Sequence, residues 1–276
     1  DYVFIFPLGM GIKGAAIATG LGQIVTVSIL LPHFIRKRGV LSFGKVSMDK
    51  NIVKEVTNIG FPSFLGQLSF SIIVFLHNKA LSAYMGEIGI STYSIINYVT
   101  TNIYMVLLGL SIGVQPLLSY NYGAQRYDRV KQAFKLLFIS SLTFTMCAVS
   151  LLMIFPEFFV KIFSGDIALV EMTSWSMRIY FAGMGIFGMQ LSCQQTFLSL
   201  GQAKISLFLA LLRKMILLVP LIFILPMFIS DGLTAVLLAE PIADIIACLT
   251  TTTMFVIFFK KNFPKDAQNK VTAKAQ

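Results

Sequence analysis

Seven long stretches of the chain, near residues 14–34, 56–80, 88–116, 132–155, 168–199, 203–228 and 232–259, are almost wholly apolar, with short polar gaps between them. Each has about the 20 residues that a helix needs to cross roughly 30 Å of hydrocarbon. Alternation of period two, as lipid-facing barrel strands require, is absent. Only helices and closed barrels satisfy their backbone groups in lipid, so the pattern predicts an all-α, polytopic transmembrane bundle. Residues 2–8 read as the stub of one further helix.

Composition points the same way: 56% of residues are hydrophobic, 12% are charged, and 25 of 276 are Phe. Net charge is +10, which by itself would suit a nucleic-acid partner. The placement of the cations argues otherwise. Sixteen of the 22 Lys and Arg lie in Arg36–Lys54, Arg126–Lys135, Lys204 and Lys260–Lys274, which are alternate gaps plus the C-terminal tail. The other gaps hold Lys13 and Lys161 with Glu87, Glu157, Asp166 and Asp231. By the positive-inside rule the basic gaps and the C-terminus face the cytoplasm of a cell-membrane protein, and no nucleic acid is implied.

Residues 9–14, "GMGIKG", satisfy G-x-G-x-x-G, the fingerprint of a dinucleotide turn. That turn needs a βαβ unit and an acid about 20 residues on, whereas the next acid after Asp1 is Asp49. The glycines instead sit where one helix leaves the membrane and the next enters, and Gly14-Ala-Ala with Gly20 and Gly22 gives a small-residue face for close helix packing, as Gly109 and Gly113 do. Cys147, Cys193 and Cys248 all lie within predicted spans and read as packing residues. His33 and His77 are isolated, and neither is assigned a role.

"DYVFIFP" at 1–7 resembles "PLIFILP" at 220–226, and each precedes a short outer turn and a long helix ending in basic residues. A hairpin thus recurs after about 218 residues in the same orientation, as in transporters built from two parallel halves. If each half has six helices, the first half here lacks its first four, about 170 residues. The expected domains are residues 1–50 as the remnant of a first lobe, 51–262 as a six-helix second lobe, and 263–276 as a disordered cytoplasmic tail.

Acids inside a bilayer are costly and are functional candidates by default. Asp1 is one. Glu240 and Asp244 are spaced i, i+4 on the last span around Pro241, and they either satisfy backbone groups freed by the kink or gate and carry a proton or cation. Polar stripes comprise Gln67, Ser71 and Asn78; Asn97 and Thr101; and Gln190 and Gln194, with Tyr180, Met184 and Met189 nearby. Such stripes either join helices or line a substrate cavity. In "QPLLSYNYGAQRYDRVKQAFK", 115–135, Pro116 is expected to end one span and Gly123 to turn the chain into an amphipathic helix start.

That segment resembles the C-terminal-half loop of multidrug and toxic compound extrusion (MATE) transporters, A-Q-P-L-x-S-Y-N-Y-G-A. "GMGIKGAAIATG" is similar to the turn before that family's sixth helix, and "GLTAVLLAEPIAD" (232–244) to the start of its twelfth. The resemblance runs along all 276 residues and places them from the end of helix five through helix twelve of a two-lobe fold. It implies a multidrug efflux antiporter that expels organic cations and other drugs against Na⁺ or H⁺, with no other cofactor and no enzymatic activity. Asp1 falls on the family's helix-five acid and Thr19 on its helix-six hydroxyl, the cation-binding positions. A first-helix acid and an Asn one turn before Asp1 would lie upstream.

One branch of the family also has acids on helices seven and ten, and the matching segments here, "GFPSFLGQLSFSIIVF" and "RIYFAGMGIFGMQLSCQQ", contain none. The implied partners are drug-like small molecules and the bilayer, around a monomer. A flippase for lipid-linked oligosaccharide precursors is the alternative. It calls for a basic central cavity, and the spanning cations Lys79, Arg178, Arg213 and Lys214 read as lying mostly near helix ends. A membrane enzyme would need a nucleophile, metal pair or His/acid constellation, and none is apparent in the sequence.

Overall fold

The computed structural model describes residues 2–5, 7–36 and 49–262, all of them helix or connecting turn. Asp1, the basic stretch 37–48 and the expected tail 263–276 lie outside the described residues. The chain divides into two compact units, Asp1–Thr57 and Asn58–Gln276.

The first unit holds α1 (Tyr2–Ile5) and α2 (Gly11–Ile35), which pack on each other across the glycine turn. Met10 N donates to Phe4 O at 3.1 Å, closing the turn without any side-chain cap. The turn is therefore a helix connection, as the absence of a ribose-binding acid implies.

α3 runs from Lys50 to Gly123, 74 residues, and covers two predicted spans. Gly86 divides it, with φ 58° and ψ −137°, a conformation that a side chain disfavours. The His77 and Tyr93 rings stack at 4.8 Å. Along a straight helix these residues would stand about 24 Å apart, so the chain folds back at Gly86 into two antiparallel arms. A Cβ on Gly89 would lie 2.7 Å from Leu81 O, which shows how closely the arms approach.

Two expectations for the following loop are corrected. The helix continues through Pro116 to Gly123, since a transmembrane helix tolerates the loss of one backbone bond. The left-handed residue of the turn is Gln125, φ 57°, and not Gly123.

α4 (Tyr127–Ile154) and the short α5 (Pro156–Lys161) follow. The predicted span 168–199 is broken into α6 (Ile167–Tyr180), a 3-10 segment (Phe181–Ile186) and α7 (Phe187–Ser199). Span 203–228 is likewise α8 (Ala203–Leu211), a π segment (Leu212–Leu218) and α9 (Val219–Phe228). α10 (Gly232–Asn262) completes the bundle. Among the described residues five helices are long and apolar enough to cross a membrane, one of them the folded-back α3.

Acids in the gaps between spans do local work as well. Asp166 caps α6 by accepting from Ala168 N at 2.9 Å, and Asp231 accepts from Leu233 N and from the Thr234 hydroxyl. Such caps satisfy donors that a helix start otherwise leaves unpaired.

α10 is the hub of the second unit: it packs against α6, the 3-10 segment, α7, the π segment and α9. α4 covers α7 and the 3-10 segment. α9 and α10 thus form the second copy of the hairpin seen in α1 and α2, as the sequence repeat suggests. A core of Leu81, Ile96, Leu107, Met177, Phe181 and Val236 ties both arms of α3 to α6, the 3-10 segment and α10.

Candidate functional site

Two departures from regular helix and a proline meet in the first half of α10. Pro220 lacks an N–H and crowds the preceding turn, and the helix before it slackens into the π segment. Pro241 lies within α10, which runs on unbroken through it. Opposite it stands Gly183 of the 3-10 segment, where a Cβ would lie 2.6 Å from Pro241 O and 2.7 Å from its Cα. No larger residue fits between these backbones.

At this junction lie four charges. Glu240 and Asp244, one turn apart, share a face of α10. Arg213 and Lys214 are adjacent in the π segment, and neighbours in sequence do not share a face of a regular α-helix. Both nevertheless reach α10. Arg213 Nη1 donates to Asp244 Oδ1 at 2.6 Å, and Lys214 Nζ donates to Glu240 Oε1 at 3.1 Å. Arg213 Nη2 lies 4.0 Å from the same Glu240 oxygen, linking the two pairs. The Phe187 ring sits 4.4 Å below the guanidinium, a cation–π contact.

Neither open explanation for Glu240 and Asp244 included these partners. The hydrogen bonds they make go to cationic side chains rather than to backbone released by Pro241. The placement of Arg213 and Lys214 near a helix end is corrected as well: they stand midway along the 203–228 span. The signal was in the sequence, since two cations deep in an apolar run demand anions at similar depth.

Exposure is uneven across the pairs. The acid side chains are 3% and 5% accessible, and those of Arg213 and Lys214 are 13% and 20%. Both cations line a cavity of about 320 Å³ between the two arms of α3, α7, α8 and the π segment, with Gln67, Gln194, Gln195 and Phe70 also in its wall.

Of the residues proposed for a substrate cavity, Gln67 and Gln194 are brought together here. Ser71 is exposed and donates to Gln67 O at 3.2 Å. Asn97 is half-buried on the second arm of α3. Tyr180 and Met184 belong to the hydrophobic core, and Tyr180 stands edge-on to His77 at 6.4 Å. Gln190 is buried on α7, and its Oε1, like Asn78 Oδ1, has no hydrogen-bond partner among the described residues. Thr19 is exposed on α2, its hydroxyl donating to Ala15 O at 3.0 Å. Asp1 lies outside the described residues.

The MatE family model matches residues 62–224, more than half of the chain, and the matched region contains Arg213, Lys214 and the whole cavity wall. This chain belongs to the MatE family. Along 265 residues the MatE chain is 24% identical to Multidrug export protein MepA of Staphylococcus saprophyticus and 25% identical to that of Staphylococcus aureus strain N315. Both alignments cover 95% of this chain and 57% of the relative, so the chain spans little more than half the length of these proteins.

Solved structures share the fold. A MATE crystal structure in complex with MaL6 superposes with a TM-score of 0.81 at 21% identity, over 94% of this chain and 59% of that one. An outward-facing multidrug resistance MATE transporter of the MOP superfamily gives 0.80 at 21% identity, over 94% and 58%. The MatE chain is therefore an all-helical, multi-pass membrane protein.

Proposed function

We propose that this MatE chain is part of a multidrug exporter that moves drug-like small molecules out of the cell by alternating access between two lobes. The observation that carries this reading is the cavity beside the four-charge junction. Its amide, aromatic and cationic wall includes Arg213 and Lys214 of the π segment and Phe187 just after the 3-10 segment, irregular backbone of the kind tolerated in membranes where it lines a cavity. No covalent chemistry is required. The relatives' name, multidrug export protein, supports the same assignment.

Coupling is to Na⁺ or H⁺ at Asp1 and Thr19, since neutralising a carboxylate within a membrane removes its desolvation cost and shifts the balance between the two access states. Glu240 and Asp244 act in gating: their pairs with Lys214 and Arg213 fix α10 to the π segment until the cavity changes occupant. The protein works as a monomer in the cell membrane with its C-terminus in the cytoplasm.

Cells lacking other efflux pumps and expressing the full-length protein should accumulate less dye than controls, with cationic ethidium and anionic fluorescein both offered. Asp1→Asn should abolish that difference while leaving the amount in the membrane unchanged. Unimpaired efflux by the variant refutes the role of Asp1, and absence of efflux by the parent refutes the exporter reading.

A second reading has one observation in its favour: the cavity wall is basic, as a flippase for lipid-linked oligosaccharide precursors requires. Translocation of a labelled polyprenyl diphosphate across proteoliposomes, without efflux of either dye, would select it.

A further inference from the structure

Resting on the exporter reading, the geometry of the junction points to the charge of the substrate. Each ion pair at the cavity is oriented cation outward. Arg213 and Lys214 line the cavity, whereas no Asp or Glu is among its lining residues. Glu240 and Asp244 stand behind them, each about four times less accessible than its partner by the fractions given above. A guest entering the cavity meets a guanidinium and an ammonium before either carboxylate.

Those cations also hold donors in reserve. A Lys ammonium carries three N–H groups and an Arg guanidinium five. Each makes one hydrogen bond to its acid, Lys214 to Glu240 and Arg213 to Asp244. The remaining wall supplies the amides of Gln67, Gln194 and Gln195 and the rings of Phe70, Tyr104 and Phe187. Amides orient polar groups of either sign, and the rings take flat apolar surface. An organic cation would lie against like charges there, with the compensating acids screened from it.

We propose that this cavity binds amphiphilic organic anions: flat aromatic molecules whose carboxylate, sulfonate or phosphate is taken by Lys214 and Arg213, with the rings against Phe70 and Tyr104. Lys214 is the adaptable member. It holds Glu240 by a single bond, and a guest anion competes with Glu240 for the same ammonium. Arg213 is the fixed member, held by Asp244 at 2.6 Å and by Phe187 below it.

The test uses two dyes with one xanthene skeleton and opposite charge, fluorescein and rhodamine 6G, bound to the full-length protein in neutral detergent and read by fluorescence polarisation. Fluorescein should bind about tenfold more tightly. Lys214→Gln should weaken fluorescein about tenfold and leave rhodamine within about twofold. Because Lys214→Gln strands Glu240, the double variant Lys214→Gln/Glu240→Gln is measured beside it and should show the same loss of fluorescein. Recovery of fluorescein binding in the double variant overturns the proposal, since the loss would then come from the stranded acid. Rhodamine binding equal to or tighter than fluorescein also overturns it, while leaving a drug cavity in place.

Binding of neither dye defeats this proposal and the exporter reading together. Competition by 2-naphthoate and by farnesyl diphosphate separates the sources. Displacement by either supports an anion site and names a free aromatic acid or a lipid phosphate as its ligand; displacement by neither overturns it.

Discussion

Two cavities of similar size sit in the second unit, and their walls differ in kind. The one beside the charged junction, about 320 Å³, is lined by two cations and three glutamines among aromatic and aliphatic residues. The other, about 360 Å³, lies between the second arm of α3, α4 and α5, and its only amide is Asn102 among Tyr98, Ile103, Leu151, Phe159 and other apolar side chains. Volume alone does not make a site in a membrane protein. Lipid tails fill an apolar hollow at little cost, whereas ionised groups persist in such a setting only when partners compensate them. The first cavity is bordered by structure that keeps its charges; the second is bordered by packing.

The largest expected effect comes from breaking the compensation. Asp244→Ala leaves Arg213 buried without its short partner and should destabilise the protein by about 3–5 kcal/mol, as loss of one member of a buried pair does. Thermal unfolding followed by size-exclusion chromatography reads this as a sharp fall in Tm or loss of the monodisperse peak. Asp244→Glu, which keeps the charge, should recover much of it. An unchanged Tm in Asp244→Ala would mean that the pair is solvated.

Next is Gly183→Val, which places side-chain atoms against the Pro241 backbone and should cost about 1–3 kcal/mol by overpacking. Its signature is a lower Tm together with weakened dye binding, because the 3-10 segment leads into Phe187. Gly86→Ala asks a residue with a side chain to adopt φ 58° and should cost about 1–2 kcal/mol. The space around Gly86 is open, so only strain is tested. Smallest of all is Asn102→Leu in the apolar cavity, expected to stay within about 0.5 kcal/mol of the parent and to leave fluorescein binding untouched. A large effect there would erase the distinction between the two cavities.

Much of the fold was legible because lipid imposes a length and a composition on every crossing segment. All seven predicted spans are helical, and the repeated hairpin has counterparts in α1 with α2 and in α9 with α10. Irregular segments were less legible. Pro116 and Pro220 look alike in sequence, yet the helix continues unbroken past Pro116 while a π segment leads into Pro220, beside residues that must reach across to α10. Gly123 looked like the turning residue, but the left-handed position fell on Gln125, because turn geometry depends on both flanking helices.

The site was half legible. Glu240 and Asp244 stood out as acids on one helical face, and Gln67 and Gln194 as polar positions in apolar runs. Their relation to Arg213 and Lys214 did not, since the pairing crosses 26 and 31 residues of chain and relies on the π segment to turn adjacent cations toward one partner helix.

By itself the sequence determined that this protein is a bundle of membrane helices, where those helices fall, and that ionisable groups are placed within them. Those properties follow from local hydropathy, which every segment carries independently of its neighbours. The tertiary structure alone decided which charges neutralise one another, which member of each pair faces the cavity, and which hollow is polar. Such properties depend on distances between helices, and packing around Gly86, Gly183 and Pro241 sets those distances after the spans have formed.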